Sequence, residues 1–226
     1  MLPIYQYKLT IDDPRLIMTV LNKKKRKTLE SEWSMSNQQN VSVRRNTSDS
    51  KIRDLVITAL MAAVICVLAP ISLPIGPVPV SLSTLAIYFV VYIVGTRRAF
   101  TAVLVYILLG MAGLPVFSGW SGGVQKMAGP TGGYIVGYLP MVIVMGLYID
   151  RHRKNRIGCI LVSAAATAVL YVVGTVWFLL VMTDTTLAAA LSMCVFPYIP
   201  GDLAKIIIAA VFGPMIRGRL QQANLL

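Results

Sequence analysis

The chain has 226 residues, of which 56% are hydrophobic and 13% are charged, and its mean hydropathy is +0.71. A soluble globular domain is about 45–50% apolar, so this composition argues against a soluble fold and indicates an integral membrane protein. The net charge of +12 would suit nucleic-acid binding, but basic residues in a membrane chain usually mark cytoplasmic loops, and we expect no nucleic-acid partner.

Residues 1–50 are polar, with a basic cluster at 23–27 and few large apolar residues after Val20. This composition predicts a disordered N-terminal tail. No apolar stretch follows the basic cluster before Ile52, so the tail lacks the pattern of a secretory signal. Met35 opens a second polar run and is an alternative start of translation, a choice that the sequence leaves open.

Beyond residue 50 we predict an all-α membrane domain over residues 51–219, followed by a short cytoplasmic tail at 220–226. The six predicted spans are residues 52–69, 78–94, 99–117, 134–149, 157–182 and 203–216. A full crossing needs about 20 residues, so the second, fourth and sixth are marginal by length. A seventh apolar run at 187–196 is too short to cross, and we predict a short helix at the outer surface there.

The distribution of basic residues supports all six spans. With the N-terminus inside, the cytoplasmic segments contain Lys51, Arg53, Arg97, Arg98, Arg151, Arg153, Lys154, Arg156, Arg217 and Arg219. The three loops on the other side contain one base, Lys126. The positive-inside rule therefore predicts a multi-pass protein of the bacterial cytoplasmic membrane, with both termini in the cytoplasm.

The predicted outer loops are rich in glycine and proline. These residues are Pro70, Pro74, Gly76, Pro77, Pro79, Gly119, Gly122, Gly123, Gly129, Pro130, Gly132 and Gly133. Non-helical backbone at membrane depth is tolerated only where it is buried in protein or lines a cavity, which suggests a pocket with a lid. Ordinary turns have the same composition, so that interpretation also stays open.

The sixth segment is preceded by an ionisable pair at the edge of the membrane, in the sequence PGDLAK at 200–205. Asp202 and Lys205 are three residues apart and so share one helical face. Ionisable residues within spans are costly and usually functional, which makes both candidate ligand contacts. A structural interpretation is equally open, in which Asp202 caps the helix while Lys205 snorkels or pairs with it.

Aromatic and hydroxyl side chains supply further candidates for a ligand pocket. Phe117, Trp120, Tyr134 and Tyr171 lie near the proposed outer face, where they would either enclose a ring ligand or form an interfacial belt. Ser81, Ser83 and Thr84 open the second span, where hydroxyls bond either a ligand or the carbonyls of their own helix.

Ala59 and Ala63 in the first span form a small-xxx-small face, which permits another membrane helix to approach closely. This pattern suggests a membrane partner.

The sequence contains little that suggests catalysis. No phosphate-binding loop is present, because Lys126 follows Gln125 and Lys205 follows Ala204, so the chain cannot draw energy from ATP by itself. The lone histidine, His152, lies in a basic loop, and the three cysteines are far apart in apolar runs. We expect no enzyme activity, no metal and no cofactor.

Four strings, in this order, resemble the motifs of the BioY family: GPVPVSL at 76–82, GMAGLPVF at 110–117, GPTGGY at 129–134 and PGDLAK at 200–205. The similarity runs from about Asp54 to Arg217. That family is the biotin-specific S component of energy-coupling factor (ECF) transporters. The chain departs from it at Ser81 and Ser83, where family members often have Thr and Gln, and the shorter Ser83 weakens the expectation of a direct ligand contact there.

The resemblance implies a six-helix membrane protein that binds biotin near the outer surface. It also implies assembly with a transmembrane coupling subunit and two ATPase subunits. By the same resemblance Asp202 and Lys205 contribute ligand contacts, Gly133 and Tyr134 form pocket wall, and small residues of the first helix contact the coupling subunit, which here are Ala59 and Ala63.

Biotin has a ureido ring with two N–H donors and one carbonyl, an apolar bicycle and a carboxylate. Asp202 would accept from a ureido N–H, and Lys205 would donate to an oxygen. Lys126 is the other base on the proposed outer face and a candidate for the carboxylate. The alternatives are an S component for another vitamin, a membrane-embedded enzyme, or a scaffold without a ligand.

Overall fold

The computed structural model describes residues 51–73, 79–153 and 155–223, together with Glu32 and Met35. By its internal contacts the chain divides into two units, Met1–Arg53 and Asp54–Leu226. The predicted tail at 1–50, apart from those two residues, lies outside the described residues, so its disorder and the choice of start stay predictions.

The described part of the second unit is mainly α-helical, as the composition predicts. Its first helix, α1, covers residues 54–68. The further elements are β1 (Ser72–Leu73), β2 (Val80–Ser81), α2 (Ser83–Val94), α3 (Thr96–Met111), α4 (Val124–Ala128), α5 (Gly132–Arg151), α6 (Arg156–Val181), α7 (Leu187–Cys194) and α8 (Ile199–Gln222). The strands pair antiparallel, with Ser72 opposite Ser81.

Each predicted apolar segment overlaps one of these helices, and α7 matches the predicted short helix before the sixth. Three of the described helices, α5, α6 and α8, are long and apolar enough to cross a membrane. Helix α2 has 12 residues and α3 has 16, which gives lengths of about 18 and 24 Å at 1.5 Å per residue. Both are shorter than the roughly 30 Å hydrocarbon core, so six full crossings stay a prediction.

Helices α2 and α3 meet at a single glycine. Gly95 has a φ of 81°, in the left-handed region, and an added Cβ would lie 2.8 Å from Oδ1 of Asp150. The backbone N–H of Thr96 donates to Oδ2 of Asp150 at 2.9 Å, which satisfies one of the unpaired donors at the start of α3. Glycine is therefore required at this break, and a carboxylate from α5 stabilises it.

Helix α2 is the centre of the bundle, because ten of its 12 residues are buried and it packs against α3, α5 and α8. The contact between α5 and α6 is the most extensive among the described elements from β1 to α8, and it depends on small residues. A Cβ on Gly174 of α6 would lie 2.3 Å from the ring of Tyr134 on α5, and one on Gly133 would lie 2.1 Å from Trp177. These close crossings bring the first turns of α2 and α8 next to α5 and α6.

Candidate functional site

A buried ion pair lies where α2 and α8 begin. Nζ of Lys205 donates to Oδ1 of Asp202 at 2.9 Å, to the backbone carbonyl of Ser81 at 2.9 Å and to Oγ1 of Thr84 at 3.0 Å. The side chains of Lys205 and Asp202 are only 12% and 10% exposed. Three acceptors therefore surround one ammonium group, which offsets part of its desolvation cost.

The second carboxylate oxygen of Asp202 faces a different helix. The Tyr171 hydroxyl donates to Oδ2 at 2.7 Å, and the Thr84 hydroxyl donates to Oδ1 at 3.3 Å. The helix-cap interpretation of Asp202 is wrong, because the residue before α8 is Tyr198, which has no side-chain cap bond, and Asp202 lies inside the first turn. The other half of that interpretation, pairing with Lys205, is confirmed.

A second polar chain lies beside the ion pair. The Ser83 hydroxyl and the Tyr138 hydroxyl are hydrogen-bonded at 2.7 Å, and Ser83 also bonds the hydroxyl of Ser81. Both Ser83 and Tyr138 are buried. Ser83 thus acts through Tyr138 and Ser81 to hold the start of α2 in place.

A pocket of about 50 Å³ opens between these groups. Its lining is an aromatic and aliphatic wall around the ion pair, formed by Pro79, Val80, Ser81, Thr84, Tyr134, Tyr138, Leu170, Tyr171, Cys194, Tyr198, Asp202 and Lys205.

Six of the predicted candidates line this pocket: Ser81, Thr84, Tyr134, Tyr171, Asp202 and Lys205. Two other predicted residues, Ser83 and Gly133, do not line the pocket but pack behind its walls. Ser83 holds Tyr138, as described above, and Gly133 is buried where α5 crosses Trp177. The indole N–H of Trp177 donates to the carbonyl of Gly129 at 3.1 Å, which ties the loop before α5 to α6.

The remaining predicted candidates lie elsewhere in the fold. Trp120 is 68% exposed with a φ of 55°, and neither it nor Lys126 is part of the pocket lining. Phe117 is buried and packs edge-on against Tyr106, with ring centroids 5.5 Å apart. Among the predicted aromatic residues, only Tyr134 and Tyr171 contribute to the pocket.

The predicted partner face on α1 is accessible. Ala59 and Ala63 are both exposed, whereas Ala62 and Ile65 face the core. Val56 and Leu60 extend the exposed face with large apolar side chains. The two small residues therefore form a shallow groove on an outward apolar face of the second unit.

Five of the lining residues were missed by sequence reasoning: Val80, Tyr138, Leu170, Cys194 and Tyr198. Tyr138 follows Tyr134 by four residues, so one helical face of α5 presents both, and this spacing was a usable signal. Cys194 lies against Tyr134, and burial raises the pKa of its thiol. The thiol therefore stays protonated at neutral pH and contributes a small, weakly polar wall.

The pocket combines one carboxylate, one ammonium group and several hydroxyls with apolar walls, a composition that suits binding of a small polar ring. In the described part of the chain no group of three or more His, Cys, Asp or Glu side chains is placed to hold a metal ion. The arrangement can recognise a ligand by hydrogen bonding and ring packing.

The family model for the BioY family matches residues 37–222. The chain belongs to the BioY family. It is 33% identical over 176 residues to the biotin transporter BioY2 of Lactococcus lactis subsp. cremoris (strain MG1363), covering 78% of this chain and 96% of that protein. It is 35% identical over 161 residues to the biotin transporter BioY of Thermotoga maritima, covering 71% and 93%.

A solved structure also matches. The crystal structure of the S-component for biotin from an ECF-type ABC transporter superposes with a TM-score of 0.69 and 28% identity, covering 75% of this chain and 93% of that one. Together with the apolar helices, the matches make this BioY family member a multi-pass membrane protein with the fold of an S component. The family resemblance seen in the sequence is confirmed.

Proposed function

We propose that this chain is the substrate-binding S subunit of an ECF-type transporter and that it captures biotin for uptake across the bacterial cytoplasmic membrane. The observation that carries the proposal is the buried Asp202–Lys205 pair, set in an aromatic pocket of a chain that belongs to the BioY family. A charged pair this deeply buried is costly unless it is used or fully bonded.

Biotin matches the chemistry of the pocket. Its ureido N–H groups are donors for the carboxylate of Asp202, which already accepts from Tyr171 and Lys205. Its ureido carbonyl is an acceptor for the ammonium group of Lys205, and its apolar bicycle fits between Tyr134, Tyr171 and Leu170. The proposed direct contacts are therefore these residues and Thr84, and Ser83 and Gly133 are positioning residues.

Trp120 and Lys126 are outside the described pocket, so we leave them out of the proposed ligand contacts. With the ureido ring against Asp202, we propose two placements for the biotin carboxylate: in solvent, or paired with Lys126 of α4. Replacing Lys126 distinguishes these two placements of the carboxylate.

The proposed topology has six spans with both termini in the cytoplasm. The proposed partners are a transmembrane coupling subunit, which would pack on Ala59 and Ala63, and two ATPase subunits. The chain has no phosphate-binding loop of its own, so partner ATPases must supply the energy.

Calorimetry on the purified protein with biotin and a panel of other vitamins tests the proposal. The expected result is one biotin bound per chain, with riboflavin and thiamine inert. Tight binding of another vitamin in place of biotin would keep the fold and overturn the substrate. Chemical turnover of a bound ligand would instead favour a membrane-embedded enzyme.

A further inference from the structure

A second pocket lies at the opposite end of the bundle from the Asp202–Lys205 pair. Arg217 follows Asp202 on α8 by 15 residues, which places it about 22 Å away along the helix. At this end α2 and α5 finish, α6 begins, and α8 passes between them. The pocket has a volume of about 240 Å³ and is lined by Tyr92, Ile149, Arg153, Cys159, Pro214, Arg217, Gly218 and Gln221.

Charge in and around this pocket is unbalanced. Arg98 is paired with Asp54 at 2.6 Å, and Arg153 is paired with Asp150. Arg217, by contrast, donates to the backbone carbonyl of Ile93 at 2.5 Å and has no carboxylate partner within the described residues. Its half-buried guanidinium has five N–H donors, so this carbonyl uses only part of its donor capacity.

The residues that line this second pocket, and the basic residues beside it, indicate which class of ligand it binds. Ile149, Pro214 and the ring of Tyr92 make one side apolar, while Arg153 and Arg217 make the other cationic. The end of α5 and the start of α6 add Arg151 and Arg156. A basic pocket with apolar walls between membrane helices fits a lipid headgroup, because the phosphate pairs with arginine while the glycerol and first acyl carbons stay in contact with apolar side chains.

The geometry points to a binding site for an anionic phospholipid, with its phosphodiester held by Arg217 and Arg153 between α2, α5, α6 and α8. This lipid site is independent of the proposed biotin pocket. The proposal depends only on the protein lying in a membrane. Such a lipid would link the ends of four helices and stabilise the folded bundle by mass action.

The test uses two variants that alter the site in independent ways. Arg217→Gln removes the guanidinium, and Arg217→Lys restores the charge. Gly218→Leu fills the pocket and keeps both arginines, because an added Cβ at Gly218 has nothing within 4 Å. Arg219→Gln is the matched control, since Arg219 is an exposed base on the same helix that does not line the pocket.

The full-length protein in detergent is titrated with phosphatidylglycerol, phosphatidylcholine or inorganic phosphate, and both Tm and the lipid retained in native mass spectrometry are measured. We expect phosphatidylglycerol alone to raise Tm by several degrees and to stay bound to the wild type and to Arg219→Gln. Both effects should be lost in Arg217→Gln and Gly218→Leu and largely restored in Arg217→Lys.

Three results would overturn the site: equal phosphatidylglycerol stabilisation in Arg217→Gln and Gly218→Leu, equal stabilisation by phosphatidylcholine, or full stabilisation by inorganic phosphate, which would indicate a free-anion site. Biotin binding is measured on every variant as a check of folding. If no protein binds biotin, the wild type included, the proposed transport function is contradicted. If biotin binding is normal but lipid selectivity is absent, only the proposed lipid site is contradicted.

Discussion

Tyr171 donates a hydrogen bond of 2.7 Å to Oδ2 of Asp202, although 31 residues separate the two in the chain. Oδ1 of the same carboxylate accepts from Lys205, which also bonds the backbone carbonyl of Ser81. One carboxylate therefore connects α6 to α8 and, through Lys205, to the start of α2. Any ligand that binds here competes for or adds to these bonds, so the same residues control both packing and affinity.

Tyr171→Phe tests the tyrosine arm of this network. The substitution keeps the aromatic wall and removes one hydrogen bond to a charged acceptor, which is worth about 1.5–3 kcal/mol. We expect biotin affinity to fall about tenfold in calorimetry. Tyr148→Phe is the control, because Tyr148 stacks on His152 far from the pocket lining. Unchanged affinity in Tyr171→Phe would remove Tyr171 from the site.

Gly174→Ala tests whether Tyr134 forms the wall of the ligand pocket. The new methyl group would overlap the Tyr134 ring, which lies 2.3 Å from the ideal Cβ position, so the ring must move towards the pocket or α5 and α6 must separate. We expect a loss of about 1–3 kcal/mol in stability, a lower Tm and weaker biotin binding. Gly218→Ala, which meets open space, should change neither. A Gly174→Ala protein with wild-type affinity would contradict the assignment.

Ala63→Leu and Ala62→Leu form a matched pair on neighbouring positions of α1. Ala63 is exposed and Ala62 is 3% exposed. We expect Ala63→Leu to leave biotin affinity and Tm near wild type and to reduce copurification with the coupling subunit, because close helix approach is lost. Ala62→Leu should instead lower Tm by overpacking the core. Normal assembly of Ala63→Leu would place the partner interface elsewhere.

The proposed topology can be tested by cysteine labelling in whole cells. In a background without the three native cysteines, Trp120→Cys and Arg151→Cys introduce single thiols at exposed positions. A membrane-impermeant maleimide should label position 120 in intact cells and position 151 only after lysis, since the basic loop is expected inside. Labelling of position 151 in intact cells would invert the topology and contradict the proposed entry side for biotin.

The helices could be predicted from sequence because long apolar runs and charged loops are local signals, and the Asp202–Lys205 pairing follows from a spacing of three on one helix. The contacts from Tyr171, Thr84 and Tyr138 could not, because they depend on how α2, α5 and α6 cross α8. Those crossings are set by glycines such as Gly174, whose packing partners no local pattern identifies. The two-residue strands were also missed, since they are too short to show alternation.

The type of a residue alone does not predict whether it lines the pocket. Trp120 and Lys126 have side chains suited to a biotin ring and its carboxylate, yet both lie outside the lining of the pocket. Tyr138, which sequence reasoning passed over, is buried and bonded to Ser83. The chemistry of the side chains identified possible ligand contacts. The fold was needed to show which of those side chains lie together in the pocket.

We propose that Asp202 and Lys205 bind the ligand in addition to joining helices, and a comparison of three variants tests this double role. Asp202→Asn and Lys205→Met each leave one charge buried without its partner, and breaking such a pair costs about 3–5 kcal/mol. The double variant leaves no unpaired charge, so its Tm should recover towards wild type. The measurement is Tm and biotin affinity, by calorimetry, for both single variants and the double variant.

We predict that the double variant regains most of the lost Tm while its biotin affinity stays at least tenfold below wild type, or about 1.4 kcal/mol, because the groups that face the ureido ring are absent. Wild-type biotin affinity in a double variant of recovered stability would contradict the account, and it would show that the pair serves packing alone.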